Sequence, residues 1–298
     1  MYNCKTVFFS TGCIHLGSIS KSGKSTNALS CNLEQNRPKS AFEILQANKA
    51  ATLILESLKM SYSNNDYYIW AEPNLCESLL FQCKGLNIKS AIAIEHINRG
   101  GLAIPSTKDA LEIINIFDPN LLSVKIYFEK NRSKLAEELA VDRLLSLIEI
   151  CNSYNKGLVI DIDFKSRLEN NKNHEEKEII ISGVETLINK DIRPKFWGIR
   201  KSGDQIFDET LIGLMNLENE SNNKCILEYP HGEKDINTHS DLSLENFVLN
   251  GDFFLDVLIA WSTKQLSDEE AVKTMANKIN QVQENIQDSN LTKTFSIE

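Results

Sequence analysis

The sequence predicts an α/β fold of the (β/α)₈, or TIM-barrel, kind: one domain with an N-terminal arm. Three observations lead there. Eight short apolar segments alternate, for the most part, with longer stretches of helical character, the pattern of parallel strands joined by crossover helices. The chain of 298 residues would accommodate two average domains but is also the size of a single barrel, and it shows no internal repeat and no second domain. No glycine-rich dinucleotide fingerprint follows any strand, which weighs against an open, doubly wound sheet. The expected division is a first strand and flexible arm over residues 1–40, the barrel over 41–290, and a disordered tail over 291–298.

In chain order, KTVFF (5–9) reads as the first strand, and the Ser-, Asn-, Lys- and Gly-rich stretch 10–38 as the arm. From Ala41 to about Met60 a helix is expected, although Asn48 and Lys49 interrupt its apolar stripe. YYIWAE (67–72) is a strand, followed by the helical NLCESLLFQCKG, and SAIAIE (90–95) is the next strand. Ser106 and Asp109 have the spacing of a capping box ahead of ALEIINIF, because each can satisfy the other's unpaired backbone N–H. SVKIYF (123–128) is a strand and Lys134–Tyr154 an amphipathic helix. GLVIDIDF (157–164) precedes a helix near 174–189, and KFWGIR (195–200) and KCILEY (224–229) continue the strands. NFVLN (246–250) is the last strand, ahead of the apolar DFFLDVLIAW. Ser267 and Glu270 then cap a helix running to about Gln287.

Composition narrows the function classes. A net charge of −9 and a pI near 5.2 argue against nucleic acid or an anionic membrane as partner, while leaving room for a local basic pocket that binds a small anion. No apolar run approaches the roughly 20 residues a membrane span needs, and the first residues make a poor signal peptide. Seven cysteines without metal or redox spacing read as reduced thiols, so the expected location is cytoplasmic. The composition admits a homo-oligomer. No cofactor and no metal centre are expected from the motifs: the five histidines have no ligand spacing, and only His96 and His231, which follow strands, merit testing. KSGKST (21–26) lacks the glycine a phosphate-binding loop needs at Ser18, so it is assigned to the arm, from which Lys21 or Lys24 could still reach a phosphate.

Alternation along a strand assigns faces, and in a barrel the catalytic groups gather at the strands' C-terminal ends. Val124, Ile126 and Phe128 should pack on helices, which turns Ser123, Lys125, Tyr127 and Glu129 inward. The same rule turns Val159, Asp161 and Asp163 inward, then Ala91, Ala93 and Glu95, then Phe196, Gly198 and Arg200. Glu72 and Glu228 lie late in their strands on faces the pattern does not fix. Glu72, Glu95, Lys125, Asp161, Asp163 and Arg200 thus converge on one polar region. Any one of them has a structural reading as a helix cap or ion-pair partner, but several charges on inward faces point to a site, because a barrel interior otherwise fills with branched apolar residues.

From Tyr67 to Gln287, roughly three quarters of the chain, the ordered series AIAIEHINRGG, PNLLSVKIYFEKN, DRLLSL, LVIDIDF, Arg193-Pro194, KFWGIRKSG and SDEEAVKTMANKI resembles class I aldolases of the tagatose-bisphosphate aldolase type. Within them it is most similar to the aldolase-like domain fused to bacterial 5-dehydro-2-deoxygluconokinase. The resemblance implies a Schiff-base lyase acting on a phosphorylated sugar. It places Lys125 at the family's second active-site lysine and Asp161 at its glutamate. The family's Schiff-base lysine falls on Gly198, and its Gly-Arg-Thr phosphate turn on Asn250-Gly251-Asp252.

Three functions remain open at this point. Lys125 serves as the amine, with Asp161 or Asp163 moving protons and Glu72, Glu95, Arg200 and His231 contacting substrate. Alternatively, Glu72, Glu95, Asp161 and Asp163 hold a divalent cation. Or the barrel is catalytically silent and binds a phosphorylated sugar or a protein partner.

Overall fold

A computed structural model describes residues 6–10, 41–62, 67–94, 104–128, 134–162, 174–199, 205–216, 225–228 and 246–294. The strands are β1 (Thr6–Ser10), β2 (Tyr67–Ala71), β3 (Ser90–Ala93), β4 (Leu121–Ile126), β5 (Gly157–Ile162), β6 (Phe196–Ile199), β7 (Cys225–Glu228) and β8 (Asn246–Asn250). Each pairs in parallel with the next, and β8 returns to β1, so the sheet closes. The helices are α1 (Ala41–Ser61), α2 (Pro73–Gly85), α3 (Thr107–Phe117), α4 (Lys134–Ser153), α5 (His174–Asn189), α6 (Gln205–Asn216), α7 (Leu255–Ser262) and α8 (Asp268–Thr294). Among the described residues a helix follows every strand but β7.

The helices form where the sequence supplies both a stripe and a start. In α3 Ser106 Oγ accepts from the Asp109 N–H, and the Asp109 carboxylate accepts from the Ser106 N–H, while Ala110, Ile114 and Phe117 make the buried face. Ser267 and Glu270 make the same reciprocal pair at the start of α8, where Ala271, Met275, Ile279 and Val282 are buried at helical spacing. That helix runs past the expected end near Gln287 to Thr294. Asn48 and Lys49 do not interrupt α1: Ala50, Ala51, Ile54, Leu55 and Leu58 carry its buried face, and Lys49 lies outside it, 3.0 Å from Asp268. Helix α6 has no counterpart in the sequence reading, which left 201–223 without an element; Phe207 and Leu211 are its buried anchors.

Two apolar layers follow from the strand alternation. Outside the sheet, Ile69, Ile92, Val124, Ile126, Ile160, Ile162, Trp197 and Ile199 pack with the helices in one large core. Cys76, Cys83, Cys151 and Cys225 are outside any disulfide and buried in this layer, so Cys76 and Cys83 are packing residues. Inside the barrel, Ala91, Leu121, Val159 and Ile226 form a second, smaller cluster with Tyr68, Trp70, Phe196 and Val248. Membership of this inner cluster gives the inward face of β2, where Tyr68 and Trp70 are in phase with Glu72, and Ile226 is the inward residue of β7.

Candidate functional site

The register of β3 to β7 stacks the inward residues in rows. Trp70, Ala91, Leu121 and Gly157 are neighbours in one row, and Ala93, Ser123, Val159 and Phe196 in the next. The row nearest the C-terminal ends is Lys125, Asp161, Gly198 and Ile226. Apolar filling therefore gives way to a cation, an anion and a glycine at the end of the barrel where parallel α/β folds place their chemistry.

Lys125 Nζ and Asp161 Oδ2 are 4.0 Å apart, with 9% and 13% of their side chains exposed. That distance is longer than a charge-assisted hydrogen bond of about 2.8 Å, so the two groups attract without being locked together. Asp161 is held from its other side by what Gly198 lacks. A Cβ at position 198 would lie 2.8 Å from Asp161 Oδ1 and 3.2 Å from the Asp161 Cα. The carboxylate thus occupies the space through which any side chain at 198 would leave the strand. Glycine at this position is coupled to an acid at 161 by simple volume.

Glu72 is at the N-cap position of α2, directly after β2, and its carboxylate makes no cap hydrogen bond. The bland reading of a strand-end acid as a helix cap does not apply to it. Glu95, Asp163, Arg200 and His231, like His96, Lys21, Lys24 and Lys201, lie outside the described residues. Among the described residues no three His, Cys, Asp or Glu side chains are grouped to hold a metal. The Asn250-Gly251-Asp252 segment ends β8 and opens a single 3₁₀ turn, Gly251–Phe254, leading into α7.

One inward residue was not singled out from sequence. Ser123 is fully buried, and its hydroxyl has no hydrogen-bond partner. The signal was present: a serine stands on a barrel-interior position between Leu121 and Lys125, where a branched apolar side chain would pack better. The buried Ser57 hydroxyl, by contrast, donates to the Ile54 carbonyl one helical turn back, a route a strand does not offer.

A concavity of about 380 Å³ lies outside the barrel between α4 and α5. Ile126, Phe128, Leu144, Ile179 and Leu187 contribute apolar lining, and Glu137, Glu175 and Glu178 supply acids. The Phe128 ring lies against Gly183 where a side chain would otherwise be, which confirms that Phe128 faces the helices.

No helix among the described residues is long and apolar enough to cross a membrane. No family model matches the sequence, and no curated protein does. The crystal structure of N-isopropylammelide isopropylaminohydrolase from Burkholderia multivorans ATCC 17616 is similar over 91% of this chain and 71% of its own, at 12% identity and a TM-score of 0.44. A likeness of that degree carries no argument about fold or chemistry.

Proposed function

We propose that the chain is a (β/α)₈ barrel enzyme of the aldolase-like kind, a Schiff-base carbon–carbon lyase in which Lys125 is the amine and Asp161 moves the protons. The single observation that carries this reading is the Lys125–Asp161 pair, on adjacent strands, mostly buried and 4.0 Å apart at the C-terminal end of the barrel. An amine must be unprotonated to attack a carbonyl. Asp161 is placed to take the proton that Lys125 sheds and to return it to the departing carbinolamine oxygen, which leaves as water. The resulting iminium draws electrons from the adjacent carbon–carbon bond. Loss of a hydroxyl proton beyond that bond then yields an aldehyde and an enamine, and protonation and hydrolysis of the enamine restore the lysine.

The proposed substrate is a phosphorylated sugar, with Glu72, Glu95, Arg200 and His231 as its contacts and Asp163 as the alternative acid–base. These assignments rest on the resemblance and on strand alternation. In the contrasting reading, a silent binding barrel, Gly198 marks the loss of the family's lysine and Lys125 is only a structural ion-pair partner. The position of the pair favours the active reading, because it lies at the C-terminal end of the strands, where parallel α/β folds place their chemistry.

Borohydride trapping with dihydroxyacetone phosphate and a panel of ketose phosphates, mapped by peptide mass, tests the proposal. The expected result is a reduced adduct on Lys125 that disappears in Lys125→Met. An adduct on Lys201 keeps the chemistry and removes Lys125 from it. A folded protein that traps nothing across the panel refutes the lyase.

A further inference from the structure

A buried hydroxyl without a partner has given up its hydrogen bonds to water for nothing in return, so a stable interior rarely keeps one without a reason. Ser123 keeps one at zero exposure, on the inward face of β4, one inward position before Lys125. Along a strand that is a separation of about 6.6 Å, which a short-chain hydroxycarbonyl compound can span. Its strand partners are Val159 on β5, which is fully buried, and Ala93 on β3, which is only half-buried. The row in which Ser123 sits is thus less completely covered on its Ala93 side.

From this we infer that Ser123 is a ligand contact at the floor of the site. Its hydroxyl hydrogen-bonds a hydroxyl or carbonyl oxygen of a small hydroxycarbonyl compound whose reactive carbon faces Lys125. In this structure the hydroxyl is covered, and contact requires the side chains over it to move. The inference deepens the lyase reading and rests on it for the role of Lys125, but not for the existence of the contact. It also gives the orphaned hydroxyl a partner, the oxygen of the bound compound.

The test compares wild type, Ser123→Ala and Tyr67→Phe, with dihydroxyacetone phosphate as probe. Tyr67 carries the other buried unpartnered hydroxyl, outside the barrel, and serves as control. Both substitutions are expected to raise Tm by about 2 °C, since each removes an unpaired polar group. Only Ser123→Ala should raise the half-saturating probe concentration for borohydride trapping, by about tenfold, with the maximal adduct unchanged. An unchanged half-saturation in Ser123→Ala overturns the inference and leaves the Schiff-base reading standing. If wild type traps no adduct, that reading falls by itself and the thermal shift caused by the probe decides. A shift present in wild type and lost in Ser123→Ala sustains the contact, whereas no shift, or an equal one, removes it.

Discussion

Tyr67 and Ser123 each bury a hydroxyl with no partner, on opposite faces of the same sheet. Around Tyr67 the surroundings are closed and apolar: the rings of Phe9 and Tyr62 lie 6.0 and 5.4 Å away, and the large barrel–helix core encloses them. Around Ser123 the burial falls off toward Ala93, and the next residue on its face is Lys125. The contrast separates two causes of the same defect. Outside the barrel the tyrosine is retained for the area its ring buries, and the hydroxyl is carried along with it. Inside, serine contributes little area, so its hydroxyl is what the position retains.

The sharpest way to break this distinction is to disable the inner face without changing its shape. Asp161→Asn keeps the volume beside Gly198 and removes the proton acceptor. It should lower the rate of adduct formation by about 10²–10⁴-fold, the usual contribution of a positioned acid or base, with Tm little changed. A rate within a factor of two of wild type, read from trapping time courses, would remove Asp161 from the chemistry and leave Asp163 as the candidate.

Next in size is Gly198→Ala. A methyl group 2.8 Å from Asp161 Oδ1 must push the carboxylate aside, and at 3.2 Å from the Asp161 Cα the neighbouring strand must give by a few tenths of an ångström as well. Overpacking of this kind costs about 1–3 kcal/mol in stability. Adduct formation should fall along with Tm, because the Lys125–Asp161 pair is disturbed at the same time. In the Asp161→Gly background the alanine should be tolerated, and calorimetry of the four proteins gives the coupling directly.

The same two faces show how much could be read before any coordinates. Period-two alternation identified Val124, Ile126, Ile160 and Ile162 as the helix-facing set, and the apolar core contains all four. It therefore also put Lys125 and Asp161 on one face. Both capping boxes were legible because Ser106/Asp109 and Ser267/Glu270 satisfy each other locally, with no tertiary context required. What alternation cannot give is register. That Asp161 sits beside both Lys125 and Gly198, and fills the space at 198, depends on how three strands separated by long crossovers are set against one another. Helix α6 went unread because a short apolar stripe such as Phe207 and Leu211 is weak without a cap or a long period. Ser123 was assigned its face but not its significance, since only packing reveals that a hydroxyl has no partner.

The smallest expected effect belongs to the outer face. Burial, with the Cys83 thiol and the Glu56 carboxylate adding to it, pushes the Tyr67 hydroxyl from 10.0 up to about 12. Burial likewise pushes Cys83 and Cys225 from 9.0 up to about 12 and Cys151 up to about 11. In each case the unfolded chain loses its proton first, so the folded state binds more protons in the window between. Stability is then fully present below about pH 9 and falls as pH rises toward 12. Tyr67→Phe removes one of these groups. Its advantage over wild type, about 1 kcal/mol near neutral pH from the lost unpaired hydroxyl, should widen between pH 10 and 12. Urea midpoints across that range check it, with Ser123→Ala in parallel. Serine does not titrate there, so the Ser123→Ala advantage should stay flat while that of Tyr67→Phe grows. If the two curves rise together, the orphaned hydroxyls share a single closed core, and the distinction between the faces of the sheet fails.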